Sequence, residues 1–329
     1  MRKVLVVGGG SIGERHLRCV QQTGLAEVAL CESDAARRTA VAERYGVRGL
    51  ATLDEAAALD WDAAVICTPA HLHVAHALKL APRTAALLIE KPLATRVDEA
   101  LELRRALAGK IVRVAYTFRM HPAVRAVAEL AAKGELGRVL QVTVAGGQHF
   151  PTYRPAYREI YYAKRETGGG AVQDAVTHTL DLVQHLAGRF DWIFCDYDHL
   201  ALEGVTVEDT VNLIGRTSGE TVMVSLAANQ FMAPNELFVQ LNGTEASAQI
   251  RLHEQRFGIH RLGGQWQWSE PLAAERDDLF RAQARQLLGL CAGEPDELCS
   301  LDDALHVLRV NLAALASQGR GPIAIERDD

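Results

Sequence analysis

The stretch VLVVGGGSIGERHL, from Val4 to Leu17, passes from an apolar run into three glycines and then into a charged segment with helical character. Gly8, Gly10 and Gly13 have the spacing G-x-G-x-x-G directly after the apolar run. Glycines at this spacing allow a tight turn, a close approach of the backbone to a phosphate, and close packing of a helix on a strand. The first turn of a helix also offers free N–H groups and a partial positive charge. The stretch therefore predicts a dinucleotide-binding turn, with an ordinary glycine-rich turn as the alternative.

The alternation of strand and helix patterns continues to about Tyr116. Short β-branched runs such as EVALCE, AAVICTP, AALLIEKP and IVRVAYTF are separated by segments of Ala, Leu, Arg and Glu with helical periodicity. This alternation is typical of repeated βαβ units, which form a parallel sheet covered on both faces. We therefore predict that residues 1–118 form a doubly wound Rossmann domain of the α/β class.

Residues 119–329 follow a different pattern. A helical segment and an irregular segment rich in aromatic residues and arginine come first, and short alternating runs dominate from Trp192 to about Trp268. Period-two alternation over consecutive runs predicts a large, mostly antiparallel open sheet with one covered face. Two helices end the chain, the second with Ser300 as its expected N-cap. We predict an α+β domain for substrate binding and oligomerisation. Its C-terminal helix packs either within this domain or back on the first domain.

Composition excludes several classes of protein. The formal charge of -6 over 329 residues is small and no block of like charge occurs, so nucleic acid is not an expected partner. No apolar run reaches the roughly 18 residues of a membrane span, and no leader pattern opens the chain. The six cysteines form no CxxC pair. We expect a soluble, cytoplasmic protein in a reducing compartment, without a zinc site or a disulfide framework.

Glu32 bears on the identity of the dinucleotide. It ends the second strand pattern nineteen residues after Gly13, where a carboxylate can accept hydrogen bonds from both hydroxyls of the adenosine ribose. The same negative charge would repel a 2′-phosphate. We therefore expect NAD, with NADP as the alternative because Arg37 and Arg38 follow closely and would serve a phosphate if they folded back.

Lys91 stands in IEKP at the end of an apolar strand, where ligands gather in a sheet of this kind. Arginine outnumbers lysine nearly five to one in the chain, so an amine at this position is notable. A partly desolvated amine beside a nicotinamide could hydrogen-bond to a substrate hydroxyl or exchange a proton with it. An exposed lysine that caps a strand end is the alternative.

A second cluster of ionisable residues lies in GGGAVQDAVTHTLDLVQHLAG. On a regular helix Asp174, His178, Asp181 and His185 fall at i, i+4, i+7 and i+11, so their side chains share one face. Such groups are costly to bury unless they are used or paired. Three interpretations remain open. The first is a metal site, although mixed spacing on one helix seldom completes a set of metal ligands, and the second is a structural stripe of solvated or hydrogen-bonded residues. The third is a catalytic pair in which His178 removes a hydroxyl proton while Asp174 positions the ring and the substrate.

Four stretches, GGGSIGERH, CTPAHLHVAHAL, IEKPLA and GGGAVQDAVTHTLDL, occur in the order and at the spacing seen in the Gfo/Idh/MocA family, the glucose-fructose oxidoreductase and inositol dehydrogenase group. The chain resembles this family over about 320 residues. The EKP element and D-x-x-x-H after glycines are far more specific than the glycine fingerprint. The resemblance implies a Rossmann domain followed by an α/β domain whose open sheet commonly forms the subunit interface, hence a homodimer or homotetramer.

The resemblance also implies roles for particular residues. Lys91, Asp174 and His178 would form the catalytic group, with His178 as the acid/base, and no metal would take part. The implied cofactor contacts are Gly8, Gly10, Ser11, Ile12, Gly13, Glu32, Thr68, Pro69, His73, Glu90 and Arg119, of which Arg119 is matched more loosely. For the substrate we expect contacts from Lys91, Asp174 and His178 together with Tyr153 and Arg158. The aromatic, basic segment that contains Tyr153, Arg154, Tyr157, Arg158 and Lys164 would suit stacking on a sugar and pairing with an anion. A solvent-facing dimer or loop surface is the alternative for this segment.

The expected function is therefore that of a pyridine-nucleotide oxidoreductase acting on a secondary hydroxyl of a sugar, sugar derivative or cyclitol. Two other functions remain open. The first is a glycosidase that uses transiently reduced bound NAD, as some members of the family do. The second is a redox-sensing or ligand-binding protein without turnover. The residues do not specify the substrate, the attacked carbon or the favoured direction of reaction.

Overall fold

The computed structural model describes residues 1–327, and the chain divides into two compact units. Among the described residues, the first unit is Met1–Met120 with Ala274–Leu305, and the second is His121–Ala273 with residues 306–327. The sequence predicted domains at residues 1–118 and 119–329, and left open that the C-terminal helix packs back on the first domain. In the structure a late segment, Ala274–Leu305, belongs to the first unit.

The strands of the first two thirds of the chain are short and mostly apolar. In chain order they are β1 (Arg2–Val7), β2 (Ala26–Cys31), β3 (Arg48–Leu50), β4 (Trp61–Ile66), β5 (Thr84–Ile89), β6 (Ile111–Val114), β7 (Val139–Gly147), β8 (Phe190–Asp198) and β9 (Thr210–Thr217). The remaining strands are β10 (Val222–Asn229), β11 (Glu236–Gly243), β12 (Ala246–Arg251), β13 (Arg256–Arg261), β14 (Gln267–Trp268), β15 (Cys299–Ser300) and β16 (Ile323–Ala324).

The α-helices alternate with the strands in the first third of the chain and are more widely spaced after it. They are α1 (Ser11–Gln22), α2 (Ala35–Tyr45), α3 (Leu53–Ala57), α4 (His73–Leu80), α5 (Val97–Ala106), α6 (Pro122–Ala132), α7 (Phe150–Tyr153), α8 (Thr177–Ala187), α9 (Arg276–Leu290) and α10 (Leu301–Ser317). The N-cap predicted for the last helix is present, since the N–H of Asp303 donates to Oγ of Ser300 at 3.1 Å.

The first unit contains a seven-stranded sheet in the order β15-β6-β5-β4-β1-β2-β3. The strands from β1 to β6 pair in parallel, which confirms the predicted Rossmann arrangement. Val4, Leu5 and Val6 are fully buried, as a strand covered on both faces requires. The chain order reverses between β1 and β4, and in an open parallel sheet ligands bind outside the carboxyl ends of the strands at such a reversal.

The late segment of the first unit packs on this sheet and its helices. Helix α9 lies against α1, and its residues Leu279, Ala284 and Leu287 join the same apolar core as Val4 and Leu17. Strand β15 adds an antiparallel edge to β6. A face of α9 that is apolar over several turns is buried in this way, which explains why Ala274–Leu305 belongs with the N-terminal residues.

The second unit contains a nine-stranded sheet in the order β14-β13-β12-β11-β7-β10-β9-β8-β16. Of its neighbouring pairs only β7 and β10 are parallel, so the predicted mostly antiparallel sheet is confirmed. Helices α6 and α8 lie against one face, where Val142, Val144 and Leu226 are buried. Side chains alternate across the sheet, so every second residue of these strands points to the other face. That other face bears the exposed side chains of Ile214 and Met223.

Among residues 1–327, no helix combines the length and the apolar composition that crossing a bilayer demands.

Candidate active site

The glycine loop of the first unit has the geometry of a close-approach turn. Gly8 has φ = +94°, and a Cβ there would lie 2.8 Å from the carbonyl oxygen of Cys67. A Cβ on Gly13 would overlap the carbonyl oxygen of Gly8, so α1 and β1 approach to backbone contact. By contrast, nothing lies within 4 Å of the Cβ position of Gly10. Helix α1 starts at Ser11 without a side-chain cap, which leaves the first N–H groups, those of Ser11 and Ile12 included, for a ligand.

Two glycine substitutions separate the structural task of this loop from its binding task. We expect Gly13→Ala to lower the free energy of unfolding by about 2–3 kcal/mol, because backbone atoms must move to admit the methyl group. We expect Gly10→Ala to leave that free energy nearly unchanged, since the added methyl group enters open space. Both variants should bind NAD about tenfold more weakly or worse. Denaturant unfolding and titration calorimetry measure the two effects, and an equal loss of stability in both variants would contradict this assignment.

Glu32 follows β2 and is held in one orientation. Its Oε2 accepts the N–H of Gly9 at 2.7 Å and its Oε1 accepts the N–H of Asp34 at 2.9 Å. Burial acts to raise the pKa of Glu32, but these two backbone hydrogen bonds and the nearby Arg37 guanidinium hold that pKa below its usual value. The side chain is therefore an ionised carboxylate at neutral pH, fixed directly to the glycine loop.

The two arginines after Glu32 do fold back toward the end of β2. Nη1 of Arg38 donates to the backbone carbonyl of Glu32 at 2.8 Å. Nη1 of Arg37 lies 3.5 Å from the Glu32 carboxylate, and about half of the Arg37 side chain is exposed. The end of β2 therefore carries the Glu32 carboxylate together with the long, half-exposed Arg37 cation, rather than a carboxylate alone.

Lys91 lies in the turn that follows β5. The N–H of Glu90 donates to the carbonyl of Ile66 at 2.9 Å and that of Cys67 to the carbonyl of Val7 at 2.8 Å, so the turn continues the carboxyl edge of β1, β4 and β5. Glu90 is buried, and its Oε2 accepts the N–H of Lys91 at 3.1 Å. The Lys91–Pro92 peptide is cis. The sheet therefore brings together, at one edge, the glycine loop, Glu32, Thr68, Pro69, Glu90 and Lys91.

His73 connects two turns of this edge. Its Nε2 lies 2.8 Å from the carbonyl of Thr68, and its Nδ1 lies 2.9 Å from the carbonyl of Pro92. Burial lowers the pKa of His73, although the hydrogen bonds to the two carbonyls act to raise it. A neutral ring has one N–H and donates to only one carbonyl at a time. The ring thus ties the Thr68 turn to the Lys91 turn. The contact of His73 with a cofactor stays a prediction.

Arg119 stands in a short 3-10 turn, Thr117–Met120, at the end of the first continuous segment of the first unit. It is buried, and its Nη1 lies 3.7 Å from Oδ2 of Asp303 in α10. The ion pair with Asp303 was not foreseen, because the partner is far away in sequence. It gives this guanidinium a fixed position in the first unit.

Asp174 and His178 belong to the second unit. The helix that carries them is not regular: Val172–Val176 form a π-helical turn, and α8 begins only at Thr177. The predicted regular helix with one shared face is therefore wrong in detail, since a π turn changes the rotation between successive residues. Asp174 and Asp181 are buried and His178 is partly buried, which excludes a stripe of solvated side chains.

The start of this helix rests on Glu208. Oε1 of Glu208 accepts the N–H of Val172 at 3.1 Å, and Nη2 of Arg165 donates to Oε2 at 2.8 Å. Gly170 has φ = +92°, and a Cβ there would overlap the Glu208 carboxylate. Burial raises the pKa of Glu208, while the Val172 N–H and Arg165 act to lower it. Gly170 is thus needed for the approach of a buried glutamate, a residue that the sequence did not reveal.

The Asp174 carboxylate has two donors from the aromatic, basic segment. Nη1 of Arg154 donates to Oδ2 at 2.7 Å, and the hydroxyl of Tyr161 donates to Oδ1 at 2.6 Å. The Asp174 side chain is 2% exposed and that of Arg154 is 35% exposed. Tyr161 was not among the predicted residues, and Arg154 was predicted only as part of the segment that approaches the substrate. The only signal in the sequence was the density of tyrosine and arginine between Phe150 and Arg165.

Tyr153 and Arg158, the two residues of this segment predicted to bind substrate, have other surroundings. Half of the Tyr153 surface is exposed. Nε of Arg158 donates to the carbonyl of Glu203 at 2.8 Å, and its guanidinium lies over the ring of Tyr157 at 5.0 Å. Neither residue has a hydrogen bond to Asp174 among those that the structure describes. Among residues 1–327, moreover, no group of three His, Cys, Asp or Glu side chains is arranged to hold a metal ion.

Together these features define a Rossmann-type dinucleotide-binding protein with a second α+β unit that carries a buried, charge-paired aspartate. Residues 2–118 match the family model described as "Oxidoreductase family, NAD-binding Rossmann fold", and residues 124–249 match the GFO/IDH/MocA C-terminal domain. The chain belongs to the Gfo/Idh/MocA family, which confirms the resemblance seen in the sequence.

Individual relatives agree with this family. Inositol 2-dehydrogenase 3 of Saccharopolyspora erythraea is 30% identical over 190 residues, which cover 56% of this chain and 53% of the relative. Inositol 2-dehydrogenase of Leifsonia xyli is 33% identical over 195 residues, again 56% and 53% of the two chains. The match thus spans about half the length of these curated relatives. Among solved structures, an NAD binding oxidoreductase from Klebsiella pneumoniae aligns over 99% of this chain and 100% of its own, with a TM-score of 0.88 and 19% identity.

A second solved structure, "Levoglucosan dehydrogenase, complex with NADH", has a TM-score of 0.88 and 19% identity, and covers 99% of this chain and 100% of its own. At such low identity these two likenesses show the fold alone. They bear out the Rossmann unit and the sheet of the second unit, and the family's NAD-binding domain is the one that contains the glycine loop.

Proposed function

We propose that the protein is an NAD-dependent oxidoreductase that interconverts a secondary hydroxyl group and a ketone on a sugar, sugar derivative or cyclitol by hydride transfer. One observation carries this proposal: the glycine loop, Glu32 and the Lys91 turn follow the parallel strands β1, β2 and β5 at the same carboxyl edge of one sheet. The curated relatives are named for dehydrogenases of cyclitols, which supports the substrate class.

The residues of the edge fit a bound dinucleotide. The uncapped start of α1 and the open space beside Gly10 suit a pyrophosphate, and the anchored Glu32 carboxylate suits the hydroxyls of a ribose. The negative charge of Glu32 favours NAD, and NADP remains the alternative. Bound at these residues, NAD would supply the hydride-transfer chemistry, as acceptor for oxidation and, in its reduced form, as donor for reduction. The residues proposed to hold it are Gly8, Gly10, Ser11, Ile12, Gly13, Glu32, Thr68, Pro69, Glu90 and Arg119, with His73 acting by fixing two of their turns.

Three side chains are proposed to act on the reacting hydroxyl. His178 accepts the hydroxyl proton during oxidation and gives it back during reduction. Nζ of Lys91 donates a hydrogen bond to the same oxygen and stabilises the negative charge that develops there. Asp174 orients the imidazole and the substrate. Its burial and the hydrogen bonds that it accepts from Arg154 and Tyr161 support a fixed carboxylate for this task. Tyr153 and Arg158 are proposed to contact more distant parts of the sugar.

A substrate screen tests this proposal. Sugars, sugar acids, nucleotide sugars and inositols are incubated with NAD and with NADP in parallel, and the absorbance of the reduced nicotinamide is followed. We expect net reduction of NAD with at least one polyol. Hydrolysis of an aryl glycoside without net redox change would establish the glycosidase function in its place. Calorimetric binding of NAD without turnover of any substrate would establish a sensor.

We also propose that the protein forms a homodimer or homotetramer through the outer face of the nine-stranded sheet. A row of outward residues crosses this face, with Phe194 opposite Ile214, Ile214 opposite Ser225, and Ser225 opposite Thr143. Ile214 is 51% exposed and Met223 is 52% exposed in the single chain. A broad face with large exposed apolar side chains favours a self-complementary contact over solvent.

A charge placed on this face should separate the subunits. We expect the double variant Ile214→Lys with Met223→Lys to sediment as a monomer, because two ammonium groups per subunit would be desolvated in the contact. Leu262→Lys is the matched control, since Leu262 is 93% exposed in a turn and should not alter the oligomeric state. Analytical ultracentrifugation measures both variants. An unchanged oligomer in the double variant would contradict an interface at this face.

A further inference from the structure

A buried hydrogen bond joins the dinucleotide helix to the Lys91 turn. Nε2 of His16, on α1, lies 2.7 Å from Oε1 of Glu90, and the two side chains are 2% and 9% exposed. His16 comes three residues after Gly13, on the same buried face of α1 as Leu17 and Val20. The Glu90 carboxylate has its other oxygen on the N–H of Lys91, at 3.1 Å. One carboxylate therefore bridges the helix behind the glycine loop and the backbone of the proposed catalytic lysine.

Packing alone does not account for this pair. Two well-packed apolar side chains of similar volume stabilise a core as well as a buried hydrogen-bonded ion pair or better, because they carry no desolvation penalty. The ring of His16 also packs edge-on against Phe280 of α9 at 4.9 Å, a contact that an apolar side chain could make as well. The pair is therefore explained by what its fixed geometry does for its neighbours.

We infer that His16 is a positioning residue for Lys91, acting through Glu90. The inference deepens the proposed function and rests on the role assigned there to Lys91. His16 holds Glu90 in the rotamer whose second oxygen accepts the Lys91 N–H, and this hydrogen bond fixes the backbone from which the lysine side chain extends. On the far side of Lys91, Nδ1 of His73 lies 2.9 Å from the carbonyl of Pro92. The lysine thus stands between two residues that are each held by a buried imidazole.

The electrostatics of Glu90 agree with this arrangement. Burial acts to raise the pKa of Glu90, but the hydrogen bond from His16 and the nearby charge of Lys91 hold that pKa below its usual value. Glu90 is consequently an anion at neutral pH, and an anion needs a donor in this core. Removal of the imidazole would leave Oε1 without its partner, and the carboxylate would turn away from the Lys91 N–H or take up water.

The experiment reads the environment of Lys91 directly, without turnover. The chain has six lysines, Lys3, Lys79, Lys91, Lys110, Lys133 and Lys164, so reductive methylation with ¹³C-formaldehyde gives few dimethyl-lysine NMR signals, and Lys91→Arg identifies the Lys91 signal. His16→Leu removes the donor, and His16→Gln replaces it with an amide N–H of similar reach. Arg18→Gln is the matched control, since Arg18 lies on the same helix and binds Asp277 at 2.6 Å rather than Glu90.

We expect His16→Leu to shift the Lys91 signal and to lower kcat on the order of 10- to 100-fold, the loss that a small misplacement of a reacting group produces. The Kd for NAD should change less than threefold, and His16→Gln should restore both the signal and kcat. Arg18→Gln should leave both unchanged. If His16→Leu does not fold, the double variant His16→Gln with Glu90→Gln takes its place. It removes the charge of Glu90 and puts two amide side chains of the same size at these positions.

Other results would overturn the inference. An unshifted Lys91 signal in His16→Leu would show that Glu90 does not transmit the position of His16. A parallel fall of NAD affinity and kcat in His16→Leu, without rescue by His16→Gln, would show a merely structural role. Failure of the proposed function looks different: Lys91→Arg would then keep full turnover while His16→Leu still shifted the Lys91 signal.

Discussion

Lys91→Ala should lose turnover by about 10²- to 10⁴-fold while NAD still binds with nearly unchanged affinity. The expected loss is that of a positioned proton-transfer and charge-stabilising group. Binding should persist because the glycine loop and Glu32 are anchored by their own contacts, including the hydrogen bond from Gly9 to Glu32 at 2.7 Å. Steady-state kinetics with the substrate found in the screen and titration calorimetry with NAD measure the two quantities.

The matched control for this substitution is Lys110→Ala. Lys110 lies near the carboxyl end of α5, just before β6, and has an exposed side chain outside the proposed site. We expect kcat and Kd of this variant to equal those of the native protein. Full turnover in Lys91→Ala would refute the catalytic assignment. A large loss of NAD affinity in Lys91→Ala would make Lys91 a binding residue instead.

Most of the first unit could be predicted because each of its main strands is recognisable from a few consecutive residues. Each of β1, β2, β4, β5 and β6 is a short apolar run that ends in a turn, and a parallel sheet with both faces covered needs such runs. The site residues Glu32 and Lys91 could be located because they follow strand ends, and strand ends of a parallel sheet share one edge. What remained hidden were β3, with three residues, and β15, with two, since so few residues carry no periodicity.

Long-range contacts explain the other differences. Helix α9 is amphipathic wherever it packs, so its periodicity could not show that Ala274–Leu305 joins the first unit. The π turn before α8 depends on Glu208, which meets Val172 from 36 residues further along the chain. Likewise the partners of Asp174 could not be chosen from among several arginines and tyrosines, because the chain between Arg154 and Tyr161 consists of short 3-10 turns without a repeating face.

Asp174→Ala should reduce both stability and turnover, and the two losses should have separate causes. The free energy of unfolding should fall by about 2–3 kcal/mol, because Arg154 and Tyr161 lose their shared acceptor. This is less than a fully buried ion pair would lose, since the Arg154 side chain keeps 35% of its surface exposed to solvent. Turnover should fall by about 10²-fold or more if the carboxylate orients His178 and the substrate. Denaturant unfolding and steady-state kinetics measure the two losses.

A double-mutant cycle with Arg154→Met separates these causes. Arg154→Met removes the cation from Asp174 in the native background, whereas in the Asp174→Ala background it removes a cation that already lacks its partner. We expect a coupling of about 1 kcal/mol or more in the free energy of unfolding. Arg158→Met is the control and should be additive with Asp174→Ala, because Arg158 binds Glu203 instead. The double variant should regain stability but not turnover, since no methionine replaces the carboxylate. Recovery of turnover together with stability would reduce Asp174 to a structural partner of Arg154, and the proton transfer would then depend on His178 without it.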